Sequence, residues 1–169
     1  VPKQLFNEAH LADYLKFNSK ILKSDFITYD SIEENKSVNV YVPYININNF
    51  IYDKFGSFTF KHVSTVLIES ILDIEKNNEA IKVYINVNKT HFEIVVIENG
   101  SLKLYNTYEY LSKEDFIYYI LFTTEQLNLD TETLSLVLLG EIGKEKELYK
   151  RAYKDIRNIS FGGNHHTFK

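Results

Sequence analysis

The sequence predicts an α/β fold whose C-terminal half runs β-β-β-α-β-α. Three observations carry that reading. Residues 81–110 form three consecutive strand-like runs, with turns at 88–90 and 98–101. In the first run Ile81, Val83, Ile85 and Val87 alternate with Lys82, Tyr84, Asn86 and Asn88, the period of two that buries one face of a sheet. Ser112 and Asp115 stand at capping-box spacing and open a helix that carries Phe116, Ile120, Thr123, Thr124 and Leu127. Residues 133–139 are then nearly all apolar, as in a strand buried on both faces. An amphipathic helix over 144–158 follows, with Leu148, Ala152 and Ile156 on one side, and then a loop over 161–166.

The front half reads element by element. Asn7 is the N-cap of a helix that places Leu11, Tyr14 and Leu15 on one face. Residues 24–36 are a short strand at Phe26-Ile27 and a solvated turn. Residues 38–42 alternate as a strand whose end Pro43 restricts. A short helix over 47–55 stops at Gly56. Another alternating run covers 57–61, and 62–76 turn helical, with Val63, Val66, Leu67, Ser70, Ile71 and Ile74 along one stripe. The polar turn Asn77-Asn78-Glu79 is the best internal boundary.

The β-β-β-α-β-α order is the half-domain of ribonuclease-H-like and actin-like folds. Residues 1–76 are therefore expected to be the C-terminal part of a first actin-like subdomain, with its upstream part missing. Residues 77–169 are expected to be a second, ribonuclease-H-like subdomain. Enzymes on this fold carry an acid on the first strand, to hold a metal ion or orient a water. The polar positions at that level here are Asn86 and Asn88.

Composition narrows the function classes. The chain has 169 residues, is 44% hydrophobic and holds 13 Tyr and 12 Phe, enough for a folded core. A net charge of −4 argues against a general nucleic-acid binder, and only Arg151 and Arg157 are arginines. The lack of cysteine excludes disulfides, thiolate metal sites and a cysteine nucleophile, and it fits a reducing, cytoplasmic setting. No run approaches the roughly 18 apolar residues of a membrane span, so no membrane partner is expected.

Three long runs carry a resemblance: VPYININNFIYDKFGSFTFKHVSTVLIESIL at 42–72, KVYINVNKTHFEIVVIENGSLKLYNTYEY at 82–110, and EDFIYYILFTTEQLNLD at 114–130. The chain resembles an uncharacterised Bacteroidetes family, a domain of unknown function placed near the actin-like ATPases. The resemblance implies the fold and brings no activity with it. In the wider actin-like superfamily, strand–turn–strand loops grip phosphate with an acid and glycines, so that backbone N–H groups reach the anion. By that resemblance the candidate phosphate positions are Asn86, Asn88, Lys89 and Thr90, in a turn with neither acid nor glycine. Gly140 and Gly143 stand where the superfamily places its nucleoside loop.

Other signals are weaker. Gly143-Lys144 is no phosphate-binding P-loop, because Leu138 and Glu145 occupy the places of its earlier glycine and its Ser or Thr. A two-metal nuclease needs converging carboxylates, and Glu93 is the one nearby acid; its alternation with Phe92 and Ile94 reads as a solvated strand position. His165-His166 reads as a loop pair and not a zinc site, and His62 with Ser64 lacks a third catalytic partner. Seven rings crowd residues 41–60; most are expected in the core and some at an interface, with Tyr44 and Tyr52 the candidates. No catalytic residue and no metal ligand is assigned. The favoured expectation is a degenerate, non-catalytic scaffold that binds a protein partner or itself, without a cofactor. The alternative is an ATP- and magnesium-binding protein with weak or atypical ATPase activity.

Overall fold

The computed structural model describes residues 1–16, 20–22 and 24–162. Two compact units divide the chain, Val1–Ile74 and Glu75–Lys169. The sequence-predicted pair His165-His166 lies outside the described residues.

In the first unit Asn7 caps as expected, its Oδ1 accepting the Ala9 N–H at 3.0 Å, and a single 3-10 turn leads into α1 (Leu11–Leu15). Strands β1 (Thr28–Ile32) and β2 (Ser37–Tyr41) form an antiparallel hairpin, with Asp30 opposite Asn39. Val1 and Lys3 run along the outer edge of β2, exchanging backbone hydrogen bonds with Val38 and Lys36. Helix α2 (Ile45–Phe55) ends at Gly56, whose φ of 78° is a conformation that favours glycine. The run 57–61 is not a strand but the connection to α3 (Val63–Glu75). It has no partner strand, and alternation without a partner does not make a sheet.

The start of α3 is tied down by polar groups. Asp30 accepts hydrogen bonds from the His62 N–H (2.8 Å), the Thr65 hydroxyl (2.7 Å) and the Tyr41 hydroxyl (3.0 Å). His62 Nδ1 lies 2.6 Å from Ser64 Oγ and accepts the Ser64 N–H at 3.1 Å, so the imidazole acts as a helix cap. Ser64 is 2% exposed, which leaves no path for a substrate to its hydroxyl.

The second unit is a five-stranded sheet in the order β5-β4-β3-β6-β7. Strands β3 (Lys82–Val87), β4 (His91–Glu98) and β5 (Ser101–Glu109) are the expected antiparallel meander. Helix α4 (Lys113–Gln126) opens on the predicted capping box. It crosses over to β6 (Ser135–Gly140), which lies parallel to β3. The amphipathic stretch after β6 contains a shorter helix than its periodicity suggests, α5 (Glu147–Ala152). A further parallel strand, β7 (Asn158–Phe161), follows beside β6. Val83, Ile85, Val87, Phe92 and Leu136 on the sheet pack with Phe116 and Ile120 of α4 and Ala152 of α5 in one core.

Glu75, the first residue of this unit, is 2% exposed. Its carboxylate accepts from Lys82 Nζ (2.8 Å), the Tyr84 hydroxyl (2.5 Å) and Asn78 Nδ2 (2.6 Å). Burial pushes this carboxyl up, but the three donors together hold it below the ordinary carboxylate range. Burial and the Glu75 charge push the Tyr84 phenol far above its ordinary value. Glu75→Gln should therefore cost about 2–3 kcal/mol near neutral pH, because Lys82 is left without its counter-charge. A depressed carboxyl contributes its full stability above about pH 4.3, and that share is lost as pH falls through the folded-state value. Urea melts should show the gap between parent and variant closing with acid. A gap that stays constant down to about pH 3 would show that the charge is not its source.

Candidate functional site

The site that the sequence points to lies at the C-terminal end of β3. Alternation sends Val83, Ile85 and Val87 into the helical core, so Tyr84 and Asn86 occupy the opposite face. Antiparallel register sets Glu93 of β4 directly across from Asn86. The turn that follows brings Asn88 to the same carboxylate. Asn86 Nδ2 and Asn88 Nδ2 both donate to Glu93 Oε2, at 3.1 and 3.0 Å. His91 Nε2 stands 3.6 Å from the other oxygen.

Glu93 is 6% exposed, so the solvated position expected from its alternation is wrong. The physical reason is visible in β4, where Phe92, Ile94, Val95, Val96 and Ile97 are all buried. A strand apolar in both phases has no solvated face, and that was the signal by which Glu93 was legible as buried. A carboxylate in such a place needs donors, and the two asparagines supply them.

The turn is held from below. Tyr110 donates its hydroxyl to the Asn88 carbonyl at 2.5 Å, and its backbone N–H donates to the Thr90 carbonyl at 3.1 Å. Burial, and then the charge of Glu141, push the Tyr110 phenol up. Lys89 and Thr90 form the exposed tip of the turn.

Of the two glycines of the candidate nucleoside loop, Gly140 has a steric role of its own. Gly140 pairs with Val87 and has a φ of 80°; a Cβ there would lie 2.3 Å from the Val87 carbonyl oxygen. Close approach of β6 to β3 accounts for this glycine. At Gly143 a Cβ would lie 2.5 Å from a Glu145 carboxylate oxygen, so the Glu145 side chain lies directly over that turn. The structure thus gathers Asn86 and Asn88 at one carboxylate, brings Gly140 beside them, and places an acid at Gly143. Among the described residues no group of three or more His, Cys, Asp or Glu is placed to hold a metal ion.

The interface candidates lie on the first unit. Tyr44 and Tyr52 are 80% and 59% exposed, and no residue of α2 is buried. Of the seven rings in 41–60 only Tyr41 is buried, so the expected aromatic core is not formed there. The apolar residues of α2 run around most of the helix, and the first unit covers few of them.

Comparison with known proteins places this geometry. The family described as "Protein of unknown function (DUF3822)" matches residues 1–159. No curated protein matches the chain. A crystal structure from Bacteroides thetaiotaomicron VPI-5482, of a protein with actin-like ATPase fold and unknown function, superimposes with a TM-score of 0.86 at 25% identity. The match covers 96% of this chain and 63% of that one, so this chain spans less than two thirds of its neighbour's length. The α/β, actin-like fold read from the sequence is borne out.

Glu93→Ala separates a buried acceptor from a solvated strand residue. Removing the partner of two amides should lower stability by about 2–4 kcal/mol, and Glu93→Gln, which keeps one acceptor oxygen, should recover most of that loss. Chemical denaturation measures both. A solvated position would show no more than about 0.5 kcal/mol for either substitution.

Proposed function

We propose that this chain, which belongs to the DUF3822 family of unknown function, is a non-catalytic interaction module built on an actin-like frame. The observation that carries this reading is the pair of amides, Asn86 and Asn88, that donate to one oxygen of Glu93. A carboxylate that holds magnesium or orients a water needs a free lone pair aimed at its ligand. In this protein one oxygen of the only buried acid at the turn is taken by two internal amides. A neutral amide is a poor general base and a weak magnesium ligand. Two amides on one carboxylate oxygen, with no second buried acid at the turn, are a poor set of magnesium ligands.

On this reading the protein works by contact with a protein partner or with its own copy, in a reducing, cytoplasmic setting. Residues 1–76 act as the C-terminal part of a first actin-like subdomain and residues 77–169 as the second. Tyr44 and Tyr52 on α2 are the interface candidates, since both pair a ring with a hydroxyl that tolerates water at a rim. One observation favours the other reading, ATP binding with weak or atypical ATPase activity. Lys89 and Thr90 sit exposed at the tip of the turn, with a cation and a hydroxyl available to an anion.

Two measurements separate the readings. Full-length protein should show no magnesium-dependent ATP turnover above a blank; turnover that disappears in Lys89→Ala would establish the second reading. Tyr44→Ala and Tyr52→Ala should leave the melt within about 0.5 kcal/mol of the parent and weaken association in analytical ultracentrifugation. Strongly lowered melts with a monomeric parent would remove α2 as an interface.

A further inference from the structure

The outward side of α4 carries a second, independent surface. Its inward residues Phe116, Ile117, Ile120, Thr123 and Thr124 are buried. On the opposite side Glu114, Tyr118, Phe122 and Glu125 fall nearly one above another, as the 3.6-residue turn dictates. Tyr118 is 60% exposed, Phe122 is 41% exposed, and Leu111, just before the helix, is fully exposed. The two rings stack with centroids 6.2 Å apart. Tyr118 is also braced edge-on by Tyr119, which stacks on Tyr108 of β5 at 4.7 Å. These rings are held before any partner arrives, which lowers the ordering cost of binding.

Charge gives the surface its polarity. Glu114 and Glu125 are exposed and make no ion pair among the described residues. The nearby cation is engaged elsewhere, since Lys113 pairs with Glu147, and Asp115 is occupied by the helix cap. Two braced rings thus lie between two unpaired acids on one stripe. Two partly exposed rings make up only a small part of one side of a standard protein interface, about 800 Å². That size suits a segment and not a whole domain.

We propose that this stripe of α4 docks a short basic segment of a partner protein, with apolar side chains on Tyr118 and Phe122 and Lys or Arg at Glu114 and Glu125. Arginine adds a cation–π contact with the rings. The proposal does not depend on α2 and stands or falls separately from it.

The test uses the full-length protein and a synthetic peptide with two central leucines flanked on each side by arginines. Amide chemical-shift titration should place the largest changes along Glu114, Tyr118, Phe122 and Glu125. Replacing the arginines by glutamates, or the leucines by serines, should abolish the shifts. Tyr118→Ser with Phe122→Ser should weaken binding by about tenfold or more, equivalent to about 1.4 kcal/mol, without changing the melt. Glu114→Lys with Glu125→Lys should do the same and remove the decline of affinity with added salt. This second pair keeps the test decisive if the ring variants fold poorly. The proposal is overturned by shifts centred elsewhere, by equal binding of the acidic peptide, by affinity indifferent to both pairs of substitutions, or by no binding at millimolar peptide.

Discussion

Strand β3 must satisfy its backbone on both edges at once, antiparallel to β4 and parallel to β6, and most of the second unit follows from that constraint. A parallel neighbour cannot be reached by a tight turn, so the chain must cross over through a helix. Helix α4 supplies that crossover and seals one face with Phe116, Ile117 and Ile120. The Gly140 backbone must come so close to Val87 that no side chain fits between them. A strand placed in this way is shielded from water over most of its length. Any polar side chain that it or β4 carries has to find its partners within the protein.

That requirement accounts for the polar cluster at the end of β3. Asn86 and Glu93 are opposite one another because the register puts them there, and Asn88 joins because the turn folds it back. There the two amides pair with one oxygen of the carboxylate. The Glu75 cluster obeys the same rule, with Lys82, Tyr84 and Asn78 gathered around one buried acid. In both places polar groups on a largely buried sheet fix the local structure by pairing with one another.

How much of this was legible in the sequence depended on whether a signal was local. The meander, the capping box at Ser112 and Asp115, and the buried strand β6 were each readable, because alternation, capping chemistry and apolar runs are properties of short segments. Strand β7 was not, because residues 158–161 follow a helix-like pattern and acquire strand character only by pairing with β6. The run 57–61 failed in the opposite sense: it has strand alternation and no partner. Glu93 was misread because its local alternation with Phe92 and Ile94 was followed, although the run 94–97 is apolar in both phases and marks a strand covered on both faces. The rings of 41–60 looked like core material because composition cannot show which side of α2 the first unit covers.

The central claim is that Asn86 and Asn88 hold one oxygen of the Glu93 carboxylate and stay paired with it when magnesium–ATP is offered. Side-chain amide resonances of the two asparagines in full-length protein test it most directly, through their hydrogen exchange and their response to magnesium and ATP. The account predicts two Nδ2 groups whose protons facing Glu93 exchange slowly and whose shifts do not move with added magnesium–ATP. Fast exchange in the free protein, or saturable shifts of both amides on addition of magnesium–ATP, would contradict it.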